Sequence, residues 1–407
     1  MTVSKRVRWA LVLVAAAALV LAATAAATSH TASSRPIVIG WAYDGSAGGP
    51  MAPFDGPALA AAKIEAAKIN GNGGVLGKKF VIKTCNTQGD SPTVSKTCAD
   101  KLISHDHASV IFTTCDVDLA APVVQESINK GLLTIAPCIG TDQMGPKRFG
   151  KKGKLAFSFG NMAQDEGSAM AQLAWNKGWR TADLAKDTTI VYFKAVVSAF
   201  KARWLQLGGT ITFETTYQDP ALGGSLTTVN NAASAIAAHP SDVVVTSTAG
   251  AYQALAPFIT GLRSAGDNAA VLNSWAGDGT YWLPSNPKIS NYWFVTYANS
   301  FGHDPNAAVN RLAKRVSAAT GGFVAGPAAI DGLRTAIKRT HGSLRGSALA
   351  AVMKNFDHVQ TLSGTVSFTA HRHTCFGRAY RVIEIKNNVP IAKGTIKAKV
   401  VPNSPDS

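Results

Sequence analysis

AAAKIEAAKINGNGGVLGKKF, residues 60–80, joins an amphipathic run to a glycine-rich segment and then to an apolar strand signal. Leu59, Ala62, Ala66 and Ile69 recur at helical spacing and make one apolar stripe. Pro57 suits the first turn of such a helix, because an N–H is not needed there. Asn70 and Gly71 end it, Gly73 and Gly74 turn the corner, and Phe80 opens the next strand. A dinucleotide fingerprint needs the reverse order, strand then glycines then helix, so that pyrophosphate meets a helix N-terminus. GNGGVLG is therefore a structural corner and not a phosphate cradle.

Outward from this corner the chain alternates strands and helices. IVIGWAY (37–43), FVIKTCN (80–86), ASVIFTTC (108–115) and LLTIAPC (132–138) read as strands separated by helical stretches, the pattern of a parallel sheet with crossover helices. A second series follows: TTIVYF (188–193), GTITFETTY (209–217), SDVVVTST (241–248) and AAVLNSWA (269–276). Its helices are AFKARWLQLG, an alanine-rich stretch, and YQALAPFITGLRSAG. The end changes to strands joined by turns, GTVSFTAH and AYRVIEIKNNVPIAKG.

The first residues have another character. Lys5, Arg6 and Arg8 precede the apolar run ALVLVAAAALVLAATAAA and its small residues, the layout of a secretory signal peptide over 1–28, cleaved near Ala26–Thr28. An uncleaved membrane anchor is the alternative; no cysteine follows the run to take a lipid. The expected mature chain is exported, to a periplasm or the cell exterior. The formal charge of +16 becomes +13 without the three leader cations, and favours anionic surfaces. The lysines and arginines are scattered and lack interleaved aromatics, which argues against nucleic acid as a partner. Five cysteines in an exported chain permit disulfides and leave one thiol over.

The segment AAKINGNGGVLGKKFVI resembles the signature A-x-x-I-N-x-x-G-G-(I/V)-x-G-(K/R) of the leucine/isoleucine/valine-binding type of solute receptor, the type I periplasmic binding proteins that feed ABC importers. IVIGWAYDGSAGGPMAPFDGPAL resembles the first strand and ligand loop of that family, and SVIFTTCDVDLAAPVVQESINKGLLTIAPCIGTD its third and fourth strand segments. The resemblance implies an α/β fold of two lobes, each a mostly parallel sheet flanked by helices, with three crossovers near 158–162, 297–300 and 372–378. It places lobe 1 at 29–158 plus 299–374, lobe 2 at 159–298 plus 375–400, and a tail at 401–407. It also implies a monomeric, non-catalytic receptor with a small-molecule ligand, a membrane permease as partner and no cofactor. A sensor of the same fold and an exported α/β enzyme are the competing readings. The sequence carries no Gly-x-Ser-x-Gly elbow, Walker-type loop or His-Glu-x-x-His to support the enzyme.

Carried over position by position, the resemblance marks Phe54 as a ring against the ligand and Asp116 as the residue after strand 3. Asp116 or Asp118 also suits the N-cap of the helix DLAAPVVQESINKG. Cys138, Ile139, Gly140 and Thr141 stand for the ligand loop after strand 4. Ala195, Val196 and Val197, and again Ala249, fall where the family has aromatics. Trp275 and Asp278 fall where it places the acid that pairs with an amino group. With those family contacts replaced, the expected ligand is an amino acid or a related carboxylate or amide, with an aromatic solute fitting equally well. Cys115 with Cys138 and Cys85 with Cys98 are the expected disulfides, with Cys375 unpaired. His371, His373 and Cys375 would share one strand face but lack a fourth ligand, and no metal is expected.

Overall fold

The computed structural model describes residues 35–402; the expected leader and residues 403–407 lie outside them. The first sheet has the order β13-β5-β4-β3-β1-β2, all parallel, from β1 (Ile37–Tyr43), β2 (Phe80–Asn86), β3 (Val110–Phe112), β4 (Leu133–Ala136), β5 (Ala156–Asn161) and β13 (Thr374–Cys375). The second has the order β15-β14-β10-β9-β8-β6-β7. Its strands are β6 (Thr181–Asp187), β7 (Thr210–Tyr217), β8 (Val243–Thr246), β9 (Ala270–Asn273), β10 (Tyr292–Thr296), β14 (Tyr380–Lys386) and β15 (Val389–Ile396). Only β14 runs against the others in it, pairing antiparallel with β10 and β15. A small hairpin, β11 (Val359–Thr361) and β12 (Gly364–Val366), stands apart. Each sheet reverses its strand order once, between β1 and β3 and between β6 and β8. Crevices beyond the strand C-termini at such switch points are where open α/β sheets bind ligands.

Helices cover the sheets: α1 (Ala52–Gly71), α2 (Pro92–Asp100), α3 (Val117–Asn129), α4 (Ala163–Asn176), α5 (Val191–Gln206), α6 (Leu226–Ala237), α7 (Leu255–Ser264), α8 (Ala307–Arg315), α9 (Ala325–Arg339) and α10 (Gly346–Met353). The glycine corner is explained in detail. The Asn70 amide accepts from Phe80 N and donates to Phe80 O, both at 2.8 Å, clamping the end of α1 to the start of β2. Gly73 and Gly74 have φ of 88° and 75°, and a Cβ on Gly74 would lie 2.2 Å from the Lys78 carbonyl oxygen. Helix α1 begins earlier than Pro57 suggests: it starts at Ala52, with Pro53 in the first turn and Pro57 inside it. That extra turn puts Phe54 on the helix.

The run TTIVYF (188–193) is not a strand. The strand is Thr181–Asp187, and α5 begins at Val191. β6 reads as polar because it carries Asp183, Lys186 and Asp187, yet Asp183 and Asp187 are buried on hydroxyls: Asp183 accepts from Thr212, and Asp187 from Thr248 at 2.7 Å. The apolar Ile190–Phe193 run is a helix N-terminus instead. Strands β5 and β10, which the alternation in sequence does not mark, complete the two sheets.

A buried polar knot joins the chain segments that pass between the sheets. Arg378 donates through Nε to Asn161 Oδ1 at 2.6 Å, and also to Ser363 Oγ and Phe159 O. Tyr297 OH, whose ring lies under Arg378, accepts from Asn161 N at 3.2 Å. Asp165 accepts from Gly377 N at 3.1 Å and Tyr380 OH at 3.3 Å. All three connections between the sheets thus meet in one hydrogen-bonded hinge.

Candidate functional site

The C-terminal ends of five strands face one another across a cleft. From the first sheet, Met51 and Phe54 follow β1, and Cys115 and Asp116 follow β3. From the second, Ile190, Tyr192 and Phe193 follow β6, Ala249 and Tyr252 follow β8, and Trp275 and Ala276 follow β9. Together they enclose a cavity of about 20 Å³, the room of about one water. The two walls meet through Phe54 and Trp275, whose rings are edge-on at 5.0 Å, and through Tyr252 OH on Met51 Sδ at 3.8 Å. Gly140 sits directly against Tyr192: a Cβ there would lie 2.5 Å from the ring.

The aromatic wall is held from behind. Trp275 stacks on Tyr297 at 4.6 Å. Glu166 Oε1 accepts from Trp275 N at 2.6 Å and Oε2 from Tyr192 OH at 2.9 Å. Burial pushes the Glu166 carboxyl up to about 8, so near neutral pH it is largely protonated, which spares the site an unpaired buried charge.

The opposite wall carries acids. Asp116 N-caps α3, its Oδ1 accepting from Asp118 N at 2.8 Å and Leu119 N at 3.2 Å. Burial, and then the neighbouring Asp118, raise its carboxyl to about 7. Behind it, Asp55 accepts from Cys115 N at 3.0 Å and Asp44 N at 2.8 Å, and is held well above the usual carboxylate range by burial and by Asp90. Asp90 accepts from Thr87 Oγ1 at 2.6 Å and Thr114 Oγ1 at 3.2 Å, and burial raises it to about 6. Asp118 reaches across the cleft: its Oδ2 accepts from Val191 N, the first turn of α5, at 3.0 Å, while Oδ1 pairs with Arg148 at 2.5 Å.

Of the residues marked in sequence, Phe54, Asp116, Ala249 and Trp275 border the cavity. Val197 does not; it is buried in α5, and the strand misreading displaced the expectation by several residues. Tyr192 and Phe193 supply rings there, and Tyr252 supplies one beside Ala249. The signal for them was the aromatic pair at the true strand end. Asp278 is also outside: Gly279 N, Thr296 Oγ1 and Gly321 N occupy its oxygens at 2.5–2.6 Å, and burial raises it to about 7. It ties the β9–β10 region to the hinge. Cys138 and Ile139 pack their carbonyls against Gly160, and the Ile139 carbonyl accepts from Ser158 Oγ at 2.6 Å. The Thr141 hydroxyl accepts from Gln143 N at 3.2 Å within its own turn. Of that loop, Gly140 lies directly against the facing lobe's Tyr192 ring.

Cys85 pairs with Cys98 and Cys115 with Cys138, with Cα separations of 5.5 and 4.8 Å, and Cys375 is a buried thiol. His373 stacks on Phe157 at 4.1 Å and contacts the Ala156 carbonyl through Nδ1 at 2.9 Å, as a core residue does. Among the described residues one group of three donor types, Asp55, Cys115 and Cys138, lies within 4.8 Å, but both sulfurs are spent in the disulfide.

A profile described as periplasmic binding protein matches residues 36–393. The chain belongs to the periplasmic binding protein family. The receptor fold is shared with many solved structures of low identity. A branched-chain amino acid transporter binding protein from Streptococcus pneumoniae, in complex with isoleucine, is 15% identical with a TM-score of 0.73, covering 89% of this chain and 99% of its own. An ABC-transporter solute-binding protein from Rhodopseudomonas palustris with 3,4-dihydroxybenzoic acid is 17% identical, TM-score 0.70, covering 90% and 99%. Another from R. palustris, with benzoate, is 18% identical, TM-score 0.69, covering 91% and 98%. No protein of curated function matches the sequence. Among the described residues of this receptor, no helix is long and apolar enough to cross a membrane.

Proposed function

We propose that this protein is an extracytoplasmic receptor that captures a small organic solute between its two lobes and delivers it to an ABC importer. The observation that carries the reading is the cleft itself: strand ends from both sheets, at both switch points, converge on one buried cavity, and every segment between the sheets passes through one hinge. The moving bodies are residues 29–158 plus 299–374 and 159–298 plus 375–400. A cavity of about 20 Å³ is far below the roughly 300 Å³ that small-molecule pockets begin at, so a solute enters when the lobes swing apart and is held as they return. Solute binding then stabilises the closed form in proportion to its preference for it. The exported basic chain acts as a monomer, and the importer's membrane permease is its partner; the importers named with the solved relatives support that assignment.

The test is a thermal-shift screen of the chain from residue 29 against amino acids, amides, carboxylates and amines, followed by uptake of the hit in cells lacking the gene. A ligand at a thousandfold its dissociation constant stabilises by about 4 kcal/mol. Lost uptake supports the receptor, whereas unchanged uptake of a solute that binds contradicts transport and leaves a sensing role. Chemical conversion of the hit contradicts both.

A further inference from the structure

We infer that the cleft selects an organic ammonium, an amine or quaternary cation on a small apolar or aromatic body, over a carboxylate. The inference rests on the receptor reading and names the solute class of the same site.

Five rings border the cavity, those of Phe54, Tyr192, Phe193, Tyr252 and Trp275, and its one ionisable acid is Asp116; no Lys, Arg or His borders it. Aromatic faces attract cations and repel anions. Two of the helix N-termini beside the cleft, those of α3 and α5, would be natural carboxylate sites. Each already holds a carboxylate of the protein: Asp116 on α3, and Asp118 reaching across to α5. Asp116 Oδ2, by contrast, receives no hydrogen bond among the described residues, although Asp116 is only 4% exposed. A carboxylate oxygen without a donor, on a largely buried residue at a cavity wall, is a site for an N–H or a positive charge.

The tyrosine hydroxyls of the wall are committed elsewhere. Tyr192 OH donates to Glu166 and Tyr252 OH to Met51 Sδ. Trp275 Nε1 is buried without an acceptor among the described residues, and its edge lies beside Gly322, where an added Cβ would lie 3.0 Å from it. Asp90 stands behind Asp116 and adds negative potential to it. Arg148, at the rim, is paired to Asp118. A solute carboxylate would meet acids and ring faces with no counter-charge; an ammonium would meet its counter-ion and a cage. The chain's large positive charge therefore stops short of its cleft.

The experiment is isothermal titration of the mature chain with benzyltrimethylammonium, benzylamine, benzyl alcohol and benzoate, which share a ring and differ in charge. The cations are expected to bind at least tenfold more tightly than benzyl alcohol, and benzoate more weakly than either. Asp116→Asn is expected to cost the cations tenfold or more and to shrink their preference over benzyl alcohol. Benzoate outcompeting benzylamine overturns the cation assignment and keeps the receptor. So does absence of cation binding when the wider solute screen gives a carboxylate or amide hit. Silence across every solute overturns the receptor reading as well. The wild-type charge series decides the matter even where Asp116→Asn does not fold.

Discussion

On the first lobe's wall, Asp116 and the carboxylates behind it are held by backbone N–H groups, threonine hydroxyls and a disulfide-braced strand end. The second lobe's wall is made of rings, with Tyr192 and Trp275 pinned by the buried Glu166 and by Tyr297. The first lobe brings the charge and one ring, Phe54, and the second brings the other four rings, so neither wall alone makes the whole site. The pairing exists only when the lobes meet, which is what the proposed capture by closure requires. The contacts that bridge the walls are few: Phe54 on Trp275, Tyr252 on Met51, Asp118 on Val191 N, and Gly140 under Tyr192.

Removing the ring wall should have the largest effect. Trp275→Ala deletes a side chain that is 96% buried and touches Phe54, Tyr192 and Tyr297, and should cost about 3–5 kcal/mol in urea unfolding together with cation binding. A loss below about 1 kcal/mol would show that Trp275 does not anchor that wall. On the acid wall, Cys115→Ser with Cys138→Ser opens a loop of 23 residues, and should cost about 2–4 kcal/mol. The matching change at Cys85 and Cys98, away from the cleft, should lower stability without altering solute affinity.

A change at the seam should separate the walls rather than unfold them. Gly140→Ala places a Cβ within 2.5 Å of the Tyr192 ring and should cost about 1–3 kcal/mol while weakening solute binding and enlarging the scattering radius. Unchanged scattering and affinity would mean that the ring yields without moving the lobe.

A change of pH tests the buried carboxyls of both walls. Glu166 at about 8, Asp116 and Asp278 at about 7, and Asp90 at about 6 all retain protons that the unfolded chain has released. Folded carboxyls raised above their unfolded values contribute stability that is present near pH 4 and lost as pH rises through 6–8. The melting temperature should therefore fall between pH 5 and pH 8, by roughly 5 °C. A rise over that interval would show that these groups are ionised and paired in the folded protein.

The sheets of the first lobe were largely legible in sequence, because β1 and β2 are apolar runs and the Asn70–Gly74 corner has a mechanism that only those residues satisfy. The second lobe was harder to read. β6 spends two buried aspartates on threonine hydroxyls and so lacks a strand's apolar signature, while the β-branched and aromatic start of α5 imitates one. That exchange hid Tyr192 and Phe193, the rings that face Phe54. Asp278 misled for a related reason: an acid in a glycine turn looks available, and only the fold reveals Thr296 and Gly321 closing over it. The acid at 116 could be read as a cap or as a ligand residue, and its geometry supports both, one oxygen for each.

The most direct test of capture by closure is small-angle X-ray scattering of the mature chain with and without saturating benzyltrimethylammonium, alongside Gly140→Ala. A smaller radius of gyration on saturation, diminished in the variant, is the predicted result. Saturable binding with superimposable scattering curves would contradict it, and would mean that the two walls recognise the solute without moving.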